Sequence, residues 1–319
     1  MNNQMTQPLV AVASRSFSAD PFLKKEITQK YAHVKFNESG ASLSGQELVQ
    51  FLKDADKAII ALEKVDTSLL SQLPKLKVIS KYGVGLDNID FLAMQKHNIE
   101  LAWRGGVNKR SVAELALHFI IGCVRGSFQS HHDVQKNIWT QFKGQNLTGQ
   151  TIGILGLGHI GQEMVSFLRP FGVNMIGYDL YERQLPDVKQ TDLDTLLKQS
   201  DVVTIHLPHT TKTHHILSHE KLKLMKAGSF LVNTARGGLV DEKALYDLLL
   251  KKHIQSAAFD VFEEEPPKNN PLLTLDNFYS TGHIGGSSLQ SIQLMGLAAI
   301  DGLNNSKQAL PENFFDYPL

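Results

Sequence analysis

Three short segments in the second half of the chain carry side chains that could bind an anion and exchange a proton. Arg236 stands in the loop NTARGG, Glu265 ends an acidic run, and His283 is set among glycines. Taken singly, they read as a turn arginine, part of a solvated acidic loop and a structural histidine. Taken together, they supply a bidentate carboxylate clamp, an imidazole that titrates near neutral pH and an acid that orients it. This set predicts proton exchange at a hydroxyl or carbonyl beside a bound carboxylate.

A glycine motif upstream indicates that the chain also binds a cofactor. Gly156, Gly158 and Gly161 follow an apolar run, and a second apolar run ends in Asp179, 18 residues beyond the third glycine. A glycine turn before a helix suits a pyrophosphate, and an acid at this spacing suits the adenosine ribose, so dinucleotide binding is favoured over a purely steric turn. The acid repels a 2′-phosphate, which favours NAD over NADP, although Arg183 weakens this preference. With such a cofactor, the three segments predict reversible hydride transfer.

The elements that would hold these segments alternate between short apolar runs and helical patterns. Strands are predicted over residues 9–13, 33–36, 57–62, 76–80, 152–155, 173–178, 202–206, 230–233 and 257–261. Helices are predicted over residues 20–31, 44–52, 87–96, 111–124, 242–251 and 287–304, and between the glycine turn and residue 171. This alternation predicts an α/β fold with parallel sheets. Roughly the first 100 residues then form a small domain, to which the last helix returns.

Size and composition are those of an ordinary globular protein with room for two domains. The 319 residues are 42% hydrophobic and 20% charged, and 32 basic residues balance 32 acidic ones. This balance removes any general electrostatic case for a nucleic acid or an anionic membrane as partner. Cys123 is the only cysteine, the N-terminus lacks a signal-peptide pattern, and the most apolar helical stretch, 115–124, is short for a membrane span. We expect a soluble, cytoplasmic protein.

One helix near the middle of the chain is apolar almost all round. Ser111 and Glu114 match the pattern of a capping box at its start, and apolar positions continue to Val124. Such a helix is buried on several sides, either inside its own domain or against a second subunit. The residues alone leave both readings open.

Six ordered motifs carry a family resemblance: KYGVGLDNID, NKRSVAEL, GLGHIG with Asp179, NTARGGLVDE, FDVFEEEP and GHIGGS. On these motifs the chain resembles the D-isomer-specific 2-hydroxyacid dehydrogenase family over essentially its full length, and is most similar to its phosphoglycerate dehydrogenase branch. The resemblance implies two Rossmann-like domains. A doubly wound, parallel-sheet NAD-binding domain over residues 104–285 would be inserted in a smaller, flavodoxin-like substrate domain of residues 1–103 and 286–319. It also implies a homodimer that the helix at Ser111 helps to form.

The resemblance further implies a role for individual residues. Arg236 would clamp the substrate carboxylate, His283 would act as acid and base, and Glu265 would be its partner. Asp260 would face the nicotinamide amide, and Asn108 would lie near the substrate. The substrate carboxylate would also meet the backbone of Tyr82, Gly83, Val84 and Gly85. The cofactor would lie against Gly156, Gly158, His159, Ile160, Gly161, Asp179, His206, Leu207, Pro208, Thr213, Thr234, Ala235, Arg236, Asp260, His283 and Gly285.

Two positions depart from the branch that the chain most resembles. Members that act on phosphorylated substrates commonly have an arginine after the third strand, whereas this chain has Glu63, which repels phosphate, and Lys64, which partly compensates. The second departure is the triplet WRG at 103–105, where Asn-Thr-Pro is frequent. We expect Arg104 to hold a second anionic group of the substrate, with a solvent-facing arginine as the alternative. The chain ends at Leu319, so regulation through an additional C-terminal domain is not expected.

These expectations combine into an NAD-dependent enzyme that interconverts a D-2-hydroxy acid and its 2-oxo acid. 3-Phosphoglycerate is the first candidate substrate, and glyoxylate, hydroxypyruvate and lactate come next. Formate oxidation is disfavoured because such enzymes replace the glutamate by glutamine, whereas this chain has Glu265. An NAD(H)-sensing binding protein is the alternative of a different class. The histidines crowded between residues 206 and 219 lack the spacing of a zinc site, so no metal is expected.

Overall fold

Two mainly parallel β-sheets organise the chain in its computed structural model, which describes residues 7–314. The strands are β1 (Leu9–Val12), β2 (His33–Phe36), β3 (Lys57–Ile60), β4 (Val78–Lys81), β5 (Glu100–Ala102), β6 (Thr151–Leu155), β7 (Asn174–Tyr178), β8 (Val188–Gln190), β9 (Val202–Ile205), β10 (Ser229–Asn233), β11 (Ile254–Phe259), β12 (Phe278–Ser280) and β13 (Lys307–Gln308). The α-helices are α1 (Arg15–Ala19), α2 (Pro21–Lys30), α3 (Gly45–Leu52), α4 (Thr67–Leu70), α5 (Phe91–Lys96), α6 (Lys109–Arg125), α7 (Ser127–Gln135), α8 (His159–Leu168), α9 (Leu193–Gln199), α10 (His219–Leu222), α11 (Glu242–Leu250) and α12 (Leu289–Gly302).

The described residues divide into two units. One comprises the described residues up to Asn108 together with those from Leu289 onward, and the other comprises Lys109–Ser288. The boundaries expected after residues 103 and 285 lie within five residues of these divisions. That the two units fold as independent domains stays a prediction.

The first unit is built on a six-stranded sheet in the order β13-β5-β4-β3-β1-β2. Its first five strands run parallel in the flavodoxin order 2-1-3-4-5, and β13 adds to β5 antiparallel. Both faces of the sheet are buried: Val10 and Val12 of β1 belong to one apolar cluster, and Ala11 and Ala13 belong to the other. A strand buried on both faces reads as a continuous apolar run, which is why the sequence pattern identified it.

The second unit is built on a seven-stranded parallel sheet in the order β12-β11-β10-β9-β6-β7-β8. Numbered within the unit, this is the doubly wound order 3-2-1-4-5-6 with one further strand. The order reverses between β6 and β9, and the carboxyl ends of such strands bound the crevice in which doubly wound sheets bind nucleotides. The predicted α/β class with two parallel-sheet, Rossmann-like units is confirmed.

The predicted capping box at the start of α6 is wrong. The helix begins at Lys109, and Ser111 lies inside it with its Oγ donating to the carbonyl of Gly285 at 2.7 Å. Glu114 pairs instead with Arg110, one turn earlier, at 3.1 Å. The serine hydroxyl is therefore used in a contact between distant parts of the chain, which a local pattern cannot reveal.

Most other differences from the predicted elements concern short segments. Three short strands were not predicted because they carry too few apolar residues: the edge strands β8 (VKQ) and β12 (FYS) and the two-residue β13. The helix expected over 87–96 begins at Phe91, because Asp90 caps it by accepting from the backbone N–H of Ala93 at 2.9 Å. Helix α12 is two residues shorter at each end than the expected 287–304.

Among the described residues, no single helix has the length and apolar character of a membrane span. The pair α6 and α7, bent by 69°, passes that test only when the two are counted together. Eight residues of α6 are buried in the structure.

Candidate active site

His283 and Glu265 form the central contact of the second unit's candidate site. His283 Nδ1 lies 2.7 Å from Glu265 Oε2, and both side chains are partly exposed. The other carboxylate oxygen, Oε1, accepts from the backbone N–H of Phe262 at 3.0 Å, which fixes the carboxylate. Because Nδ1 faces the glutamate, Nε2 is the nitrogen left to exchange a proton with a ligand.

A buried carboxylate holds the loop that carries His283. Asp260, which follows β11 and is 1% exposed, accepts from Ile284 N–H at 2.8 Å, from Gly285 N–H at 2.7 Å and from the hydroxyl of Thr281. Its backbone carbonyl accepts from His283 N–H at 2.8 Å. His283 itself has a φ of +56°, a left-handed conformation that is uncommon outside glycine and asparagine. Asp260 therefore stabilises an unfavourable backbone that presents the imidazole; its expected role facing the nicotinamide amide stays a prediction.

The loop that carries Arg236 is shaped by its neighbours. Asn233, fully buried at the end of β10, donates to the carbonyl of Arg236 at 2.8 Å and accepts from Ala235 N–H at 3.0 Å. A Cβ placed on Gly237 would lie 2.0 Å from the backbone of Phe262. Only glycine allows this approach, so the arginine loop is seated directly on the segment that leads to Glu265.

The three glycines of the turn after β6 have different surroundings. A Cβ on Gly156, whose φ is +96°, would lie 2.7 Å from the carbonyl of His206, and one on Gly161 would lie 2.0 Å from the carbonyl oxygen of Gly156. A Cβ on Gly158 would meet nothing within 4 Å. Gly158 is also the N-cap of α8, and no side chain caps that helix end. The open space in front of uncapped N–H groups fits the pyrophosphate of a dinucleotide.

Asp179 lies beside this turn, where the ribose is expected. Its Oδ2 accepts from Leu157 N–H at 2.8 Å and its Oδ1 from Tyr181 N–H at 3.1 Å. Arg183 Nε is 4.0 Å from Oδ2. The carboxylate is thus held at the tip of β7 with a cation close to it.

Two buried polar side chains at the ends of neighbouring strands lack a hydrogen-bond partner among the described residues. They are His206, through Nδ1, after β9 and Thr234, through Oγ1, after β10. The other ring nitrogen of His206 lies 3.0 Å from Thr204 Oγ1, and burial lowers the pKa of His206 to about 3, so this imidazole is neutral. Orphaned polar atoms at the carboxyl ends of parallel strands fit a bound polar ligand such as NAD. The remaining predicted cofactor residues lie in the first turn of α8 and after β9 and β10: His159, Ile160, Leu207, Pro208, Thr213 and Ala235.

The predicted substrate loop of the first unit follows β4. The side chain of Tyr82 is buried edge-on against Phe17, with ring centroids 5.4 Å apart, so only its backbone is available to a substrate. Gly83 has a φ of +129°, which a side chain would strain. Trp103 Nε1 donates to the carbonyl of Val84 at 3.0 Å, which fixes the loop.

The other two predicted substrate residues of this unit have contrasting environments. Asn108 is buried, and its Oδ1 has no hydrogen-bond partner among the described residues. Arg104 is exposed and lines a small cavity of about 200 Å³ together with Trp103, Lys307 and Phe314. Two cations border one cavity, which fits an anion-binding role, while the exposure of Arg104 fits the solvent-facing alternative equally, so the role stays a prediction.

Reasoning from the sequence named Asp260 as a cofactor residue but missed that it holds the His283 loop, and it gave Asn233 no role. Asn233 and Asp260 each end or follow a buried strand of the same sheet, and that placement was the available signal. Their partners, however, are backbone groups of loops whose path a sequence pattern does not give. The same holds for Glu263, which the fold brings against His214 and His215, although the histidine spacing alone predicted no metal site.

Comparisons with known proteins agree with this geometry. Residues 117–285 match a family model described as D-isomer specific 2-hydroxyacid dehydrogenase, NAD binding domain. The D-3-phosphoglycerate dehydrogenase of Methanocaldococcus jannaschii is 39% identical over 290 residues, 88% of this chain but only 55% of that protein. The hydroxypyruvate reductase of Thermotoga maritima is 36% identical over 291 residues, 88% of this chain and 94% of that protein.

A solved structure covers nearly the whole chain. The D-lactate dehydrogenase of Aquifex aeolicus, in complex with NAD and lactic acid, matches with a TM-score of 0.83 at 27% identity over 98% of this chain and 100% of that one. The match to an NAD-binding domain confirms NAD as the predicted cofactor. The chain belongs to the D-isomer specific 2-hydroxyacid dehydrogenase family, whose members are NAD-dependent oxidoreductases acting on a CH–OH group.

Proposed function

We propose that this protein catalyses the NAD-dependent interconversion of a D-2-hydroxy acid and its 2-oxo acid, in the manner of a D-3-phosphoglycerate dehydrogenase. The observation that carries the proposal is the 2.7 Å contact between His283 Nδ1 and Glu265 Oε2 on loops held by Asp260 and Phe262. The relatives that it resembles bear the names phosphoglycerate dehydrogenase, hydroxypyruvate reductase and glyoxylate reductase.

Each side chain has a defined task in this reaction. Arg236 binds the carboxylate of the substrate through its planar fork of N–H donors and polarises the adjacent oxygen. His283 donates a proton from Nε2 to the carbonyl oxygen during reduction and takes it back from the hydroxyl during oxidation. Glu265 orients the imidazole through the contact at Nδ1. NAD, when bound, supplies or accepts the hydride.

The test is a reduction assay with NADH over phosphohydroxypyruvate, hydroxypyruvate, glyoxylate, pyruvate and 2-oxoglutarate. We expect turnover of at least one of these acids, with phosphohydroxypyruvate preferred if the phosphoglycerate assignment is right. Phosphohydroxypyruvate and hydroxypyruvate differ only by the phosphate, so their ratio of kcat/KM isolates the contribution of that group.

One observation favours a second candidate, a reductase of unphosphorylated acids such as hydroxypyruvate, glyoxylate or pyruvate. The Glu63 side chain is buried and accepts from Ala61 N–H at 2.6 Å, while Lys64 Nζ pairs with Asp66 at 3.0 Å. The loop after β3 thus keeps an acid in the place of the expected arginine and engages its lysine elsewhere. The same five-acid assay decides, because this candidate predicts a higher kcat/KM for hydroxypyruvate than for its phosphate.

A role as an NAD(H)-sensing binding protein is the alternative of another class. It predicts NADH binding without turnover of any of the five acids, whereas the proposed enzyme requires both. Fluorescence titration with NADH alongside the assay separates the two.

We further propose that the protein is a homodimer joined through the surface around α7. The last turn of this helix exposes Val134, and the chain past it exposes Ile138, Trp139 and Phe142; Trp139 is 86% exposed. Val134, Trp139 and Phe142 border an open groove of about 620 Å³, and contiguous exposed apolar surface of this kind marks an association site. Light scattering should give the mass of two chains for the wild type and of one for Ile138→Asp/Trp139→Asp. Leu92→Asp, which alters a residue of the first unit that is 77% exposed, is the control and should stay dimeric.

The proposed site of action is the cytoplasm, in keeping with the free and buried Cys123. Fractionation of cells that express the protein, followed by immunodetection, tests this placement.

A further inference from the structure

Outside the candidate active site, histidines from one loop meet a glutamate from another on the surface of the second unit. His214 and His215 lie in the segment after β9, and Glu263 lies in the segment after β11. One ligand-capable atom from each residue lies within 4.8 Å of the other two. His209 stands beside them, with its Nε2 3.2 Å from His214 Nδ1. The group is at least partly exposed, so ions in solution can reach it.

His215 is the member with the most unusual environment. Its Nε2 is buried and has no hydrogen-bond partner among the described residues, yet it lies 3.5 Å from Glu263 Oε1. Its ring stacks on that of His214 at a centroid distance of 4.0 Å, and its backbone N–H donates to the carbonyl of Gly238 at 2.7 Å. The ring is therefore held in place while a polar atom remains unsatisfied, and a buried unsatisfied atom facing a carboxylate points to an ion between them.

The separation between His215 and Glu263 suits zinc. Imidazole nitrogen and carboxylate oxygen bind Zn²⁺ at about 2.0–2.2 Å, so two such ligands of a tetrahedral ion lie about 3.3–3.6 Å apart. The 3.5 Å between His215 Nε2 and Glu263 Oε1 falls in this range. His209 engages Nδ1 of His214, which leaves Nε2 of that exposed side chain to turn toward the ion. Metal-bound histidines are generally oriented by a hydrogen bond at the ring nitrogen that does not bind the ion, and His209 supplies that contact here.

We propose that His214, His215 and Glu263 bind one divalent transition-metal ion of the zinc class, with His209 as a positioning residue. Imidazole and carboxylate donors select such ions over calcium or magnesium, which prefer oxygen ligands alone. Three protein ligands leave one position for water. Spacing along the chain does not predict this site, because 48 residues separate His215 from Glu263.

An ion at this position would tie together two loops of the sheet's carboxyl edge. The segment after β9 would be linked to the segment after β11, and both already contact the loop after β10 through Gly237 and Gly238. The unfolded chain does not hold the ligands together. Zn²⁺ is therefore expected to raise the midpoint of thermal unfolding.

The test is isothermal titration of the metal-free, full-length protein with ZnCl₂ in a buffer that does not chelate. We expect one ion per chain. His215→Asn and Glu263→Gln should each weaken binding at least tenfold, and His209→Asn should weaken it about tenfold through the lost orientation. Asparagine is chosen at position 215 because the φ there is +47°, a conformation that asparagine tolerates. Titration with Co²⁺ should give the visible absorption of a tetrahedral ion in the wild type and not in His214→Asn/His215→Asn.

His219→Asn is the matched control, since His219 belongs to the same histidine-rich segment but contacts Glu220 instead of the cluster. It should bind Zn²⁺ like the wild type. Circular dichroism identifies any variant that fails to fold. The absence of saturable Zn²⁺ binding to the wild type, or full binding by His214→Asn/His215→Asn, would overturn the site.

Discussion

Nδ1 of His283 lies 2.7 Å from Oε2 of Glu265. Both side chains are more than a third exposed, and exposed ion pairs contribute only about 0–1 kcal/mol to the free energy of unfolding. The pair therefore matters for the orientation of the imidazole more than for stability. A change in either residue should separate activity from folding.

Glu265→Gln keeps the size of the side chain and an oxygen that can accept from Phe262, but it removes the carboxylate that contacts His283 Nδ1. We expect the kcat of Glu265→Gln to fall markedly. In His283→Asn the general acid itself is lost, so kcat should fall by about 10²–10⁴-fold. Asparagine suits the left-handed backbone at position 283. NADH affinity and the unfolding midpoint should change little. Glu264→Gln, one residue away, serves as control, and wild-type turnover by Glu265→Gln would contradict the assignment.

Two glycines of the same motif should respond in opposite ways to alanine. In Gly158→Ala the new methyl group enters open space beside the α8 N-terminus, so stability should hold while NADH binding weakens by at least tenfold. In Gly161→Ala the methyl group would lie 2.0 Å from the carbonyl oxygen of Gly156, so the unfolding midpoint should drop. Thermal unfolding and NADH fluorescence titration of both variants check this. Unchanged NADH affinity in Gly158→Ala would remove the pyrophosphate from this turn.

Asp179 and Arg183 should shift cofactor preference in opposite directions. Asp179→Asn keeps an acceptor for Leu157 N–H but removes the charge that repels a 2′-phosphate, so the NADPH/NADH ratio of kcat/KM should rise. Arg183→Gln removes the cation 4.0 Å from that carboxylate, so the ratio should fall. A unit charge at ~4 Å is worth ~1 kcal/mol even in water, which is on the order of fivefold. Shifts of the same sign would mean that the ribose is recognised elsewhere.

The buried His206 should make the protein sensitive to acid. Burial lowers its pKa to about 3 in the folded state, against about 6.5 in the unfolded chain. Between these values only the unfolded chain binds the proton, so the free energy of unfolding falls as pH falls below 6.5. By pH 5 the loss is about 2 kcal/mol. Urea unfolding at pH 7 and pH 5 measures the loss of free energy of unfolding between the two pH values. This loss should be smaller by about 2 kcal/mol in His206→Gln than in the wild type. The control His219→Gln should show the wild-type loss.

Much of the fold was accessible from the sequence because its central strands are apolar along their whole length. Residues 152–155 and 202–205 are buried on both faces of the sheet, so each forms a continuous apolar run that predicts a strand. Three-residue edge strands such as β8 offer no comparable signal. The sequence also allowed the main site residues to be predicted: the glycine motif, Arg236, Glu265 and His283. Binding and proton exchange at the carboxyl ends of strands require these particular residue types.

What the sequence did not reveal are pairings across long stretches of chain. The hydroxyl of Ser111 matched a local capping pattern, yet its partner is Gly285, 174 residues away. Asp260 was expected to face the nicotinamide amide, and nothing in the sequence predicted that its buried side chain holds the backbone of residues 284 and 285. Such contacts depend on where the loops of different strands meet, which only the folded sheet defines.

The bond between Ser111 and Gly285 also has a practical consequence. It joins the first residues of the NAD-binding unit to its last residues, so the two ends of that unit lie close together. A module whose two ends adjoin can sit within another polypeptide without stretching it, and it tolerates new termini elsewhere. Residues 109–288 should therefore fold when they are inserted into a surface loop of another protein. Circular permutants that join these ends through a short linker should still bind NADH.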